Sequence, residues 1–183
     1  MNIISRQFAR FTACILISAM LIACDGNTDL MKAAMSGDPA TVREMVEKGA
    51  AVDDINNYGW TALAHAARQN VTSSIAVLLD AGANINHQDK DGWTPLMRAA
   101  SKGNLEALQL LLIRGADMNM VEQNGWTALM WAANRGHTNV VSELINKGAD
   151  VNVKGKGGRT ALAIARSENF GEIVDLLQQA GAR

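Results

Sequence analysis

Apolar positions along this chain follow two rhythms. Residues 11–23 read FTACILISAMLIA, a nearly unbroken apolar run behind a short segment that carries Arg6 and Arg10 and no acid. From residue 29 onward a repeat takes over. Leu63, Leu96, Leu129 and Leu162 stand 33 residues apart, as do the pairs Ala33-Ala34, Ala66-Ala67, Ala99-Ala100 and Ala132-Ala133. Turn-forming and capping positions keep the same interval: Gly49, Gly82, Gly115, Gly148 and Gly181; Gly59, Gly92, Gly125 and Gly158; Thr61, Thr94, Thr127 and Thr160. Several registers holding one period without insertion describe a single supersecondary unit used repeatedly.

The unit can be read directly. Lys90-Asp91-Gly92 predicts a tight turn, with glycine supplying a positive φ. Thr94 is placed to cap a first helix, and Pro95 fits its first turn, where no N–H is needed. Leu96 opens the buried face, and the small Ala99-Ala100 pair lets neighbouring helices approach closely. Asn104 is placed to cap a second helix over residues 105–114, with Gly115 ending it in a left-handed conformation. Neither helix can hide its apolar face alone, so stacking must do it. The first unit is expected to start at Asp29 as cap, without the leading turn, and Asp38-Pro39 opens its second helix. The last unit trades tryptophan for Arg159 and the second alanine for Arg166. Its Gln178, Gln179 and Arg183 predict a polar outer side.

The string Asp91-Gly92-Trp93-Thr94-Pro95-Leu96, with Ala99-Ala100, Leu110-Leu111-Leu112, Gly115-Ala116-Asp117 and Asn119, resembles the ankyrin repeat, whose period is the same. The resemblance runs from Asp29 to Arg183. It implies an all-α solenoid of five stacked helix-turn-helix units with β-turn or hairpin connections. Residues 29–56 would form the amino-terminal cap, 57–89, 90–122 and 123–154 the inner repeats, and 155–183 the carboxy-terminal cap. One departure concerns the histidine that commonly follows the family's Thr-Pro-Leu string. Ala64, Met97, Met130 and Ala163 stand there, which predicts a buried, dry position.

The resemblance also implies protein binding through turn tips and the concave face of the first helices. Carried over residue by residue, Trp60, Trp93, Trp126 and Arg159, between the turn glycine and the threonine, would face that groove. Units stacked about 10 Å apart would spread the tryptophans over about 20 Å. All four tryptophans and the single tyrosine, Tyr58, fall in turn or first-helix positions. These residue types dominate interface hot spots. A ladder that braces successive turns is the alternative, and both can hold together. Arg98 and Trp131 share one register with His65 and Ile164; a place that accepts arginine is not fully buried, so they would border the groove, with partial packing the favoured alternative for Trp131. Arg68, Lys102 and Arg135, after the alanine pair, would line it with polar groups or be plain solvated helix ends.

The apolar run at the start is too short to cross a bilayer, which takes about 20 residues. A basic start before such a run is the pattern of a secretory signal peptide. It ends Leu21-Ile22-Ala23-Cys24, which resembles the bacterial lipobox. That resemblance implies removal of residues 1–23 and a diacylglyceryl thioether on Cys24. Residues 24–28 would then be the lipidated cysteine and a tether, whose four last residues reach at most about 14 Å. An ordinary signal peptide with a chance cysteine, or an uncleaved anchor, are the alternatives. Asp25 resembles the signal that keeps lipoproteins in the inner membrane of enteric bacteria. The expected location is therefore the bacterial cell envelope, facing the periplasm.

Composition narrows the function. The 183 residues are 48% hydrophobic, enough for one continuous core, and the net charge of −1 lacks the basic footprint of a nucleic-acid binder. Both cysteines, Cys14 and Cys24, precede the repeats, which removes a disulfide framework or a cysteine–zinc site from them. His65, His87 and His137 share no metal-like spacing, and His137 is expected to cap the helix it precedes. No serine has a base partner by motif, and the acids read as solvent-facing. The expectation is a non-enzymatic module with no cofactor or metal. Its partner would be another protein or peptide, and Cys24 would hold it to the membrane. A small-ligand carrier using the tryptophan row, and a cytoplasmic or host-directed ankyrin effector, are the competing readings.

Overall fold

The computed structural model describes residues 25–183; the expected signal peptide and Cys24 lie outside the described residues. Ten α-helices follow one another in pairs. They are α1 (Asp29–Ser36) and α2 (Pro39–Glu47), α3 (Ala62–Arg68) and α4 (Thr72–Asp80), α5 (Pro95–Lys102) and α6 (Leu105–Ile113), α7 (Ala128–Asn134) and α8 (Thr138–Asn146), α9 (Ala161–Ser167) and α10 (Gly171–Gln179). The connections contain no strand among the described residues, only turns and one 3₁₀ segment, Lys156–Gly158. No described helix is long and apolar enough to cross a membrane.

One threonine starts the first helix of every unit. Thr28, Thr61, Thr94, Thr127 and Thr160 each accept the N–H three residues on at 3.2–3.3 Å, satisfying one of the donors a helix start leaves open. Thr28 corrects the cap expected at Asp29. It also shows that the first unit has a leading turn, because Gly26, Asn27 and Thr28 stand one period before Gly59, Trp60 and Thr61. The Asp25 carbonyl accepts from Asn57 N at 3.0 Å. The same link joins Tyr58 to Lys90 (3.2 Å), Asp91 to Gln123 (3.0 Å) and Asn124 to Lys156 (2.7 Å). Residues 25–28 are folded into the first unit.

The first helices form one row and the second helices another, and the first row is the more closely packed. Its facing residues explain this: Ala34, Ala66, Ala67, Ala99, Ala100, Ala132 and Ala133 are fully buried and hold the helices apart by no more than a methyl group. A stack that is shorter along one side curves toward it, so the first helices line the concave face. Between the rows lie Leu63, Leu78, Leu96, Leu108, Leu111, Leu129 and Leu144, all essentially without solvent contact. Ala64, Met97 and Met130 are buried as the sequence predicts. Ala163, in the last described unit, is exposed instead.

The second helices begin differently from the expectation. Asp38 does cap α2, accepting from Ala40 N at 3.0 Å. Asn104 and His137 sit at the cap position of α6 and α8 but make no side-chain cap. They reach back to the preceding unit. Asn104 Nδ2 donates to the carbonyls of Ala67 (3.0 Å) and Arg68 (2.9 Å), and His137 Nε2 meets the Ser101 carbonyl at 3.2 Å. The carbonyls at the first-helix ends thereby gain a partner from the next unit. His137 fits there because Gly103 has no side chain: a Cβ on it would stand 2.7 Å from the ring. A second stitch runs along the loops that follow the second helices. The Asn86 side chain accepts from Asp117 N (2.9 Å), Asn119 from Asp150 N (3.0 Å) and Asn152 from Arg183 N (3.0 Å).

Candidate functional site

The tryptophans are positioned by a buried polar residue four places before each. Asn56 Oδ1 accepts from Tyr58 N and Trp60 N, both at 2.9 Å. Asp89 Oδ1 does the same for Asp91 N and Trp93 N at 2.9 Å. Glu122 Oε1 takes Asn124 N at 2.9 Å and Trp126 N at 3.2 Å. Each turn then closes on itself, as where Asp89 N donates to the Trp93 carbonyl at 3.0 Å. Asp89 and Glu122 are therefore buried, which corrects the reading of all acids as solvent-facing. The last unit has Gly155 in this register. A Cβ there would come within 2.7 Å of the Trp126 ring, so a larger residue is shut out.

Successive tryptophans do not stack on one another. A residue from the next first helix is slotted between each pair. The Arg98 guanidinium lies 3.9 Å from the Trp60 ring centre and 4.3 Å from that of Trp93, a two-sided cation–π contact. Trp131 takes the next slot, 4.3 Å from Trp93 and 4.7 Å from Trp126, both tilted. His65 starts the series, 4.9 Å from Trp60, and Arg159 ends it, 5.5 Å over Trp126. The tryptophans and both inserted residues are only partly buried. They lie between successive turns and keep part of their surface in contact with solvent.

Electrostatics are concentrated at two rungs. Arg98 pairs with Asp89, with 14% of the arginine side chain and 2% of the aspartate exposed. Burial lowers the Arg98 pKa, and the hydrogen bond to Asp89 opposes that shift. Asn56 is held by its two accepted N–H groups, so its Nδ2 must face outward from the turn. There it meets Asn27 Oδ1 at 2.7 Å and His65 Nε2 at 3.3 Å, which makes that ring nitrogen the acceptor. Burial holds the His65 imidazole down at about 4; the Asp25 carboxylate opposes this, and Arg68 and Arg98 add to it.

Two depressions bring most of the expected groove residues together. One of about 260 Å³ gathers Arg68, Trp93, Arg98, Ser101, Lys102, Trp131 and Arg135. The other, about 350 Å³, gathers Tyr58, Trp60, Arg68 and Arg98 with Asn56, His65 and Asp91. Arg159 lines neither; it is exposed, and its Nη2 lies 3.4 Å from Ser167 Oγ. A larger depression of about 420 Å³, between α1 and the loop after α2, lies in the first unit and away from the tryptophans. Sequence reasoning missed Asn27, His65, Asp89 and Glu122. The first could be found by stepping the period back once more from Trp60.

The family model for ankyrin repeats (three copies) matches residues 9–89, 30–121 and 96–183. No curated protein matches the chain. With helix pairs, threonine caps and turn links all in register over the described residues, the chain belongs to the ankyrin-repeat family.

Proposed function

We propose that this protein is a lipid-anchored adaptor of the bacterial cell envelope that binds a partner protein or extended peptide along its concave face. Ankyrin repeats are protein-interaction modules, and the finer reading is carried by one observation. The row of half-buried tryptophan and arginine side chains, Trp60, Arg98, Trp93, Trp131 and Trp126, lies on that face with its rim open to solvent. Rigid aromatics already locked by their neighbours lose little freedom when a guest arrives, which favours tight contact. The lipobox-like Leu21-Ile22-Ala23-Cys24 and the following Asp25 support an anchor in the inner membrane with the repeats in the periplasm.

Two measurements test this. Cells expressing the full chain and fed labelled palmitate should show a labelled band that Cys24→Ala abolishes; a band that persists rules out this anchor. A photoreactive residue at Tyr58, on the turn tips and 61% exposed, should capture a protein in membranes. One at Ile113, on the second row and 73% exposed, should not. Capture confined to Ile113 would place the partner on the wrong side.

A further inference from the structure

Ion pairs occur on both rows: Lys32–Asp29 (2.9 Å) and Arg98–Asp89 belong to the first. The second row carries Arg114–Asp80 (2.8 Å), Lys147–Glu143 (3.9 Å) and Lys48–Glu44. On the concave side, Arg68, Lys102 and Arg135 stand at or just past the ends of the first helices. None of them takes part in an ion pair among the described residues. Arg98 spends one nitrogen on Asp89 and has its buried Nε without an acceptor, as does Trp131 at Nε1. All of these line the same depression of about 260 Å³. Three cations without an ion-pair partner thus gather beside Arg98, which Asp89 already engages, with no carboxylate in the lining of the depression, on a chain whose net charge is −1. The three unpaired cations repel one another around this depression, Arg98 keeps donors to spare beyond its bond to Asp89, and an anion is what relieves them.

The next depression limits what that anion belongs to. It shares Arg68 and Arg98 but includes Asp25 and Asp91. A uniform polyanion laid along the row would run from the cations onto these carboxylates. A peptide with one short acidic stretch and neutral flanks meets each part with a suitable group.

We propose that the occupant of the concave face is an acidic peptide segment of the partner, its carboxylates seated among Arg68, Arg98, Lys102 and Arg135 and its apolar side chains against Trp93 and Trp131. This rests on the concave face being the binding surface. Arginine offers paired donors that match a carboxylate, and the tryptophans give the flanking residues a dry contact.

Random peptides twelve residues long, displayed on phage and panned on the full chain in nonionic detergent, provide the probe. The enriched peptides should carry clustered Asp or Glu. A synthetic copy should bind about fivefold more weakly to Lys102→Ala/Arg135→Ala, two exposed rim positions whose loss leaves the core alone. Raising salt from about 50 to about 500 mM should weaken it further. Enriched peptides without acids, bound equally by the double variant but captured from Tyr58, would overturn the anionic segment and keep the concave surface. Peptides captured only from Ile113 would overturn both. Tighter binding of single-stranded oligonucleotides or phosphatidylglycerol vesicles than of the acidic peptide would also overturn it.

Discussion

Arg98→Ala should lower the unfolding free energy by about 3–5 kcal/mol, the range found when one partner of a buried ion pair is removed. Asp89 would keep a carboxylate that is 2% exposed, with Oδ1 still holding two backbone N–H groups and Oδ2 left without its cation. The slab between Trp60 and Trp93 would go as well, leaving a gap with ring faces on both sides. Arg98→Lys should cost less, about 1–2 kcal/mol, because charge survives while the planar two-faced contact does not. Urea unfolding followed by tryptophan fluorescence reads both variants. A loss below about 1 kcal/mol for the alanine variant would mean that water reaches Asp89 and that the rung carries little weight.

Acid should weaken the amino-terminal half through His65. Its folded-state value of about 4 lies below the 6.5 of a free imidazole. Above pH 6.5 neither state is protonated and the group contributes nothing. Between there and pH 4 the unfolded chain takes up a proton that the folded one refuses, so stability falls. Below pH 4 both states are protonated and the loss levels off. The full shift corresponds to about 3 kcal/mol, and solvent near the rim reduces the expected loss to about 2 kcal/mol. The local chemistry agrees: protonated Nε2 would point its hydrogen at the Asn56 amide, itself a donor. Carboxylates titrate in the same range, so the informative quantity is the difference between parent and His65→Gln. The variant should show a shallower fall between pH 6.5 and 4. Parallel curves would show that His65 protonates freely in the fold.

The period made most of this architecture legible. It located the helix pairs, the threonine caps of four units and the placement of the tryptophans one residue before each cap. What stayed hidden depends on contacts between units. Asn104 and His137 look like local caps, yet the same register holds Val71 and Phe170, which cannot cap anything. A position that accepts such residues serves the neighbouring unit, and that comparison was the available signal. Asp89 and Glu122 look solvated because charge alone says so; two backbone N–H groups per carboxylate make their burial affordable. The alternation of Arg98 and Trp131 with the tryptophans was unreadable for a geometric reason. Each inserted side chain sits five residues past a tryptophan of its own unit but touches the tryptophan before it too. The first turn was overlooked because Asn27 replaces the tryptophan and its neighbours read as tether.

With residues 25–28 pinned to the turn that follows, nothing slack separates position 24 from the helices. An acyl group at Cys24 would therefore act less like a leash than like a foot. If Cys24 carries the lipid as we propose, the first repeat would begin directly at the bilayer surface with no free spacer between them. A guest would then have to be met close to that surface.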